Sequence, residues 1–224
     1  YAQAEHGGFY AAKAMGIYEK HGLDVTIKMG GPQVNNVQLL MGGSVDFIMG
    51  YSLQSLNAVN QGIPLVTVAA FFQKGYVTND GFFLDQAGVK GKSLLLANYG
   101  WEAYAATLDT TADRIEENPE VVQKMVAATA EGWKAYFENP APANALIKED
   151  NPEMQDALLA YSHAKMQAEG ILLSGAAEDG RYGMMTLERW QAFFEDMVEA
   201  GTLPEDLDWK KAFDLSYIQS VYAD

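Results

Sequence analysis

Three observations predict an α/β fold for this chain of 224 residues. Residues 8–72 alternate helical and extended patterns across short glycine-bearing connections, the signature of a strand–helix–strand unit. The run Pro64 to Phe72 is almost wholly apolar and reads as a strand covered on both faces. The C-terminal half is mostly helical, opened twice by the same Asn-Pro-Glu start signal, so helices outweigh strands.

The elements follow in order. Gly8 to His21 reads as a helix with Phe9, Ala12 and Gly16 on one stripe and Gly22 as its stop. Asp24 to Met29 alternates polar and apolar residues, as a half-exposed strand does. After the turn Gly30-Gly31-Pro32-Gln33, a short helix carries Val34, Val37, Gln38 and Met41. Val45 to Met49 and Pro64 to Phe72 are strands, joined by a helix over Ser52 to Gln61. Two further short strands are expected at Ser93 to Asn98 and Ala105 to Thr110. Asn118-Pro119-Glu120 opens a helix to Phe137 with Val122, Met125, Thr129, Trp133 and Tyr136 on one face. Asn151-Pro152-Glu153 opens another to about Glu169. Thr186 to Ala200 places Leu187, Trp190, Phe193, Phe194, Met197 and Val198 at helical spacing. The sheet is expected to be parallel-rich and flanked by helices. A strand ordinarily precedes the first helix of such a unit, yet only seven residues come before Gly8, so an opening strand is expected to be missing.

Composition narrows the function. Thirty acidic against fifteen basic side chains give a net charge of −15, with an isoelectric point near 4.5. That charge argues against nucleic acid and anionic membrane surfaces as partners. With no cysteine, disulfides, thiolate metal sites and cysteine nucleophiles are excluded. Gly88-Val89-Lys90-Gly91-Lys92-Ser93 fails as a phosphate loop, because Gln86 stands where the first glycine belongs. The three histidines, His6, His21 and His163, form no zinc motif, and no serine-hydrolase elbow occurs. No metal and no cofactor is expected.

Candidate binding groups cluster in loops. In α/β sheets, ligands sit beyond strand ends beside helix starts. Gly30-Gly31-Pro32-Gln33 and Gly50-Tyr51-Ser52-Leu53-Gln54 occupy such positions, and also read as ordinary connections. Gln3-Ala4-Glu5-His6-Gly7-Gly8 places a carboxylate and an imidazole beside a helix start, where His6 equally suits a cap or a solvent-facing side chain. His21 reads as a partner for a helix C-terminus, and His163 as a surface residue. Tyr99-Gly100-Trp101-Glu102-Ala103-Tyr104 gathers aromatics for stacking on a planar ligand or for covering a core edge. Trp133 and Trp190 read as core. No basic residue lies in the three glycine-bearing loops, so their phenols, amides, imidazole and carboxylate suit a small planar molecule, neutral or weakly basic.

Several of these segments carry a family resemblance. Ala2-Gln3-Ala4-Glu5-His6-Gly7-Gly8-Phe9-Tyr10, Gly16-Ile17-Tyr18, Gly22-Leu23-Asp24-Val25, Gly43-Ser44-Val45-Asp46-Phe47, Ala97-Asn98-Tyr99-Gly100, Glu116-Glu117-Asn118-Pro119-Glu120 and Ala128-Thr129-Ala130-Glu131-Gly132-Trp133 appear in the family's order. They resemble a periplasmic substrate-binding protein of an ABC importer, from the group that binds sulfonates, nitrate and the thiamine pyrimidine precursor; the last branch is nearest. The resemblance implies a type II periplasmic binding fold, an ABC permease as partner, an extracytoplasmic location and no catalysis. Beginning at Tyr1, the chain is expected to be a mature or trimmed product without its signal peptide. By resemblance the ligand would meet Glu5, His6, Gly31, Gln33, Tyr51, Ser52 and Gln54, with Trp101 and Tyr104 as further contacts.

The chain departs from that pattern in three places. The family's opening strand is expected to be missing. After Ala70-Phe71-Phe72-Gln73-Lys74 the family's second lobe should begin, but Gly75-Tyr76-Val77-Thr78-Asn79-Asp80 resembles the stretch returning from it. That stretch reads Asn79-Asp80-Gly81-Phe82, where the family has Asn-Glu-Pro-Phe. Residues 1–74 and 75–224 are therefore expected to form two parts of one lobe, with the second lobe deleted at about 74/75. Half a cleft should bind weakly. The alternatives are a ligand-free single-lobe scaffold, self-associating through its exposed inner face as a homodimer, and a pyrimidine synthase-like enzyme, which the lack of cysteine disfavours.

Overall fold

The computed structural model describes residues 1–76 and 78–223. Val77, in the expected returning stretch, and Asp224 lie outside the described residues. The helices are α1 (Gly7–Ala14), α2 (Ile17–Lys20), α3 (Asn36–Met41), α4 (Ser52–Asn60), α5 (Asp80–Gln86), α6 (Ala112–Glu117), α7 (Pro119–Glu138), α8 (Ala141–Asp150), α9 (Asp156–Ala168), α10 (Leu187–Glu199) and α11 (Ser216–Val221). The strands are β1 (Ile48–Tyr51), β2 (Leu65–Phe72) and β3 (Ala105–Thr111).

Among the described residues there is one sheet, in the order β1-β3-β2. Both ladders are antiparallel, which corrects the parallel-rich expectation. The reason lies in β3. β1 and β2 run in the same direction with α4 crossing between them, but they do not pair. The returning chain inserts β3 between them in the opposite sense. Each residue of β2 is buried, as its apolar run requires. Both ladders change register, at Gly50/Tyr51 and at Thr67/Ala69, and Ala106 takes a left-handed φ of 46° beside these irregularities.

The core forms where α1 lies against α7 and the sheet. The side chains of Val122, Trp133 and Tyr136, on one face of α7, are fully buried. Trp133 meets Phe9, Phe71 and Phe72 at ring separations of 6.2, 6.0 and 5.7 Å. Glycine permits this approach. A Cβ on Gly8 would stand 2.2 Å from the Trp133 ring, one on Gly7 2.3 Å from Tyr136, and one on Gly132 2.3 Å from the Gly8 carbonyl oxygen.

Several local readings change. The first helix breaks at Gly16, whose φ of 67° leaves the helical region. Asp24 to Met29 alternates in burial, with Val25 and Ile27 packed on the core. It joins no ladder, and no backbone hydrogen bond ties 24–30 to another described residue. Ser93 to Asn98 is not a strand: a 3₁₀ turn forms at Leu96–Tyr99, with Leu94 and Leu96 exposed away from any sheet edge. The helix expected from Pro152 begins at Asp156; residues 151–154 instead form a turn in which the Met154 amide donates to the Asn151 carbonyl oxygen at 3.0 Å, while the Asn151 side-chain amide donates to the Ala2 carbonyl oxygen at 2.9 Å. His163 is half-buried between Tyr136 and Phe137, with Nε2 3.2 Å from the Tyr136 carbonyl oxygen.

One buried acid marks the centre of the sheet. Asp109 is fully buried and accepts from the Thr67 hydroxyl at 2.7 Å and the Thr107 hydroxyl at 3.0 Å. Ser55 extends the chain of hydroxyls to Thr67 at 2.8 Å. Burial pushes the Asp109 carboxyl up to about 7, and the two hydroxyls only partly offset that rise. The folded state therefore holds this proton more tightly than the unfolded chain. The stabilisation is full below about pH 4 and is lost as pH rises through about 7, a fall of up to about 4 kcal/mol. Asp109→Asn is expected to flatten that slope in urea titrations at pH 5, 6.5 and 8. Gly8→Ala, by forcing the Trp133 ring aside, is expected to cost about 2–3 kcal/mol in the same titration.

Candidate functional site

The N-terminus of α1 is led in by a 3₁₀ turn over Ala4–His6, which presents Glu5 and His6. The helix cannot shift away, because its glycines lock it against Trp133 and Tyr136. Opposite stand the end of β1 and the start of α4, carrying Tyr51 and Gln54. Between these walls runs a groove of about 1080 Å³. Of the nine expected site residues, Glu5, His6, Gly31, Tyr51 and Gln54 line it together.

The other four lie elsewhere. Gln33 is exposed on its turn and is not part of the lining. Ser52 faces inward: its Oγ donates to the Tyr104 carbonyl oxygen at 3.2 Å and accepts the Tyr104 amide at 3.0 Å. Tyr104 is buried, and its hydroxyl accepts the Thr186 amide at 3.0 Å. Trp101 stands edge-on to Phe193, with ring centroids 5.2 Å apart. Ser52 and Tyr104 therefore spend their polar groups inside the fold, while Trp101 is exposed and stands outside the groove.

The groove holds buried polar atoms without partners. Glu5 is 1% exposed; one carboxylate oxygen accepts the Thr78 hydroxyl, while Oε2 has no hydrogen-bond partner. Burial raises the Glu5 carboxyl above its ordinary range. His6 Nδ1 is buried and unpartnered, and burial lowers the imidazole to about 4, so the ring is neutral near pH 7. Gln54 Nε2 donates to Asn36 Oδ1 at 3.1 Å, leaving Gln54 Oε1 buried and unpartnered. Orphaned buried polar atoms cost about 1–3 kcal/mol each, so a site that keeps them has a use for a partner. The cations along the groove are committed: Lys28 Nζ donates to the Ser44 carbonyl oxygen at 2.8 Å, and Arg114 pairs with Asp46. No cluster of metal-ligating side chains occurs among the described residues.

Two residues escaped sequence reasoning. Asn36 fixes Gln54 and donates to the Met49 carbonyl oxygen at 2.9 Å; its place one step after the Asn35 cap was the available signal. Arg189 left no such signal. Its Nε donates to the Glu102 carbonyl oxygen at 2.8 Å, and Nη1 to Gln73 Oε1 at 3.1 Å. Nη2 reaches the carbonyl oxygens of Gln73 and Ala103, and the guanidinium lies 4.2 Å from the Tyr104 ring centroid. One guanidinium therefore staples the chain where it leaves β2 to where it enters β3.

The family model described as NMT1/THI5 like matches residues 3–78 and 74–143. The chain belongs to the NMT1/THI5-like family. Solved structures agree on the fold of this family member. A Candida albicans protein, described as exhibiting the generic periplasmic binding protein structural fold, aligns with a TM-score of 0.61 at 12% identity, over 95% of this chain and 94% of its own. A Bordetella bronchiseptica protein aligns at 0.62 and 16% identity, covering 96% of this chain and 92% of its own. The alkanesulfonate-binding protein SsuA of Xanthomonas axonopodis pv. citri, bound to MOPS, aligns at 0.58 and 12% identity, over 95% and 96% of the two chains. No curated protein matched. At these identities the likeness establishes the periplasmic binding protein fold, and one lobe of it accounts for the single sheet.

The burial of His6 makes a direct prediction. Its ring resonances are expected to titrate near pH 4 by NMR and to stay neutral at pH 6; a midpoint near 6.5 would place the ring in solvent.

Proposed function

We propose that this NMT1/THI5-like protein is the solute-binding component of an ABC import system. It takes up a small planar heterocycle outside the cytoplasm, passes it to a membrane permease and performs no catalysis. Family and fold support the general reading. The observation that carries the ligand class is the set of unpartnered polar atoms around one groove: Glu5 Oε2, His6 Nδ1 and Gln54 Oε1. Two are acceptors, and neutral imidazole Nδ1 accepts or donates according to tautomer. They favour a ligand rich in N–H donors, such as an aminopyrimidine of the thiamine-precursor type. The half-exposed Tyr51 ring offers a face for stacking. A sulfonate is less well served, since Lys28 and Arg114 already hold partners.

Support for a deleted second lobe comes from the two family-model matches, which meet at residues 74–78. The clamp of Arg189 across Gln73 and Ala103 would keep the remaining lobe closed on itself. A second reading, self-association, is favoured by the apolar residues between those points. Leu94, Leu96 and Tyr99 are 56%, 59% and 71% exposed.

A thermal-shift series separates the readings. 4-Amino-5-hydroxymethyl-2-methylpyrimidine is expected to raise the melting midpoint by at least about 2 °C at millimolar concentration, and MOPS by less. Tyr51→Ala and Gln54→Ala are expected to abolish the shift without lowering the unliganded midpoint. Equal shifts in wild type and both variants would remove these residues from the site. No shift for any ligand, with a dimeric mass, would favour the scaffold.

A further inference from the structure

Gln54 has a second neighbour, inside the sheet. Gly50 of β1 carries no side chain, and two oxygens close over the space that one would fill. A Cβ there would lie within 2.5 Å of both Asp109 Oδ2 and Gln54 Oε1, with Thr107 Oγ1 3.3 Å away. Gly50 and Gln54 line the groove, whereas Asp109 is fully buried and does not. A buried carboxyl therefore backs the residue whose amide borders the ligand space.

Asn36 fixes which end of the Gln54 amide meets Asp109. The Asn36 side-chain nitrogen donates to the Met49 carbonyl oxygen at 2.9 Å, and its oxygen accepts the Val37 amide at 2.9 Å. That oxygen can take only another donor, and Gln54 Nε2 supplies it at 3.1 Å. Gln54 Oε1 is left towards the Asp109 carboxyl, and no hydrogen-bond partner for it occurs among the described residues. A carboxylic acid suits that oxygen: it brings a proton, and a carbonyl oxygen keeps a second lone pair for a ligand. A carboxylate does not, because two acceptors repel strongly where water is excluded. Ionised, Asp109 would draw Nε2 instead, and the turned amide would set Oε1 against Asn36 Oδ1. One nitrogen cannot serve acceptors at both ends of the amide.

The groups around Asp109 leave its own charge in control. Thr107 on β3 and Thr67 on β2 are neutral donors, and Ser55 on α4 bonds to Thr67. The Tyr76 phenol, which feels the charges of Glu5, Asp109 and Tyr51, is pushed up by burial to about 12 and is neutral. Asp214, on the segment bridged to Thr67, turns its carboxylate to Ser216. Among the described residues no cation pairs with Asp109. We infer that Asp109 is a positioning residue for the groove: protonated, it keeps the Gln54 oxygen available to a ligand, and ionised, it turns the amide so that a donor stands where the acceptor stood. The inference rests on the groove being a ligand site, and it makes a donor-rich ligand bind with the Asp109 proton in place and leave as that proton leaves.

The amide's orientation needs no ligand, so it is tested first without one. The Gln54 side-chain NH2 resonances, assigned by their loss in Gln54→Ala, are followed by NMR from pH 5.5 to 8.5. They are expected to titrate near pH 7, where burial has brought Asp109, and to stay flat in Asp109→Asn, which keeps a neutral donor in place. Thr107→Val removes a donor that favours the carboxylate, so the midpoint is expected to rise. Flat resonances in the wild type, or the same titration in Asp109→Asn, would overturn the inference. Calorimetry with 4-amino-5-hydroxymethyl-2-methylpyrimidine follows at the two pH limits. The wild type is expected to lose about 10-fold more affinity at pH 8.5 than Asp109→Asn does, since the competent form is then a few per cent of the whole. Titration of the ligand and of Glu5 is common to both proteins and cancels. An equal loss in both would also overturn the inference. No binding at either pH would remove the ligand reading instead, and the resonance titration alone would then decide the role of Asp109.

Discussion

The contact of α1 with α7 sets the rest of the molecule. Three glycines let the two helices approach until backbone meets ring and backbone meets backbone. Trp133 then reaches past α1 to the rings of Phe71 and Phe72 on β2, so one indole joins helix, helix and sheet. The cost of glycine in a helix, about 1 kcal/mol each against alanine, is offset by burying the large side chains Trp133 and Tyr136. The functional consequence is positional. With α1 fixed, the turn before it holds Glu5 and His6 rigidly over the groove.

Polar groups inside the fold divide into two kinds. Ser52, Thr67, Thr107, Arg189 and Gln73 are satisfied by protein partners and serve to hold β1, β2 and β3 together. Glu5 Oε2, His6 Nδ1 and Gln54 Oε1 are left without partners beside the groove. Trp133 and Trp190 also bury unpartnered indole nitrogens, but these lie in the packed core and the two rings do not line the groove. The proposed binding role rests on the difference between an orphaned atom in the packed core and one on a residue that lines the groove.

Much of the fold was legible where one face of an element is buried. α4, β2, β3, α7 and α10 follow their apolar periodicity to within a residue or two, because burial against the sheet dictates that pattern. Errors arose where local pattern did not decide the outcome. Asn151 carries a cap signal, yet the helix starts only at Asp156, and Ser93 to Asn98 has strand composition without a sheet edge to join. The strand order was not legible, since β3 comes from far along the chain and enters between two strands that local spacing would pair. Around the groove, the placement of Glu5, His6, Gly31, Tyr51 and Gln54 was readable from glycine and position, while Gln33 and Ser52 from the same loops lie away from it. Arg189 was not, because it binds carbonyl oxygens 86 to 116 residues away, and such groups leave no trace in local sequence.

Native mass spectrometry of the purified chain, under conditions that retain weak ligands, tests the central claim most directly. A solute-binding lobe with unpartnered polar groups predicts a monomer carrying the added mass of one small nitrogen heterocycle, lost on collisional activation. A ligand-free dimer under the same conditions would contradict the account and leave a self-associating scaffold in its place.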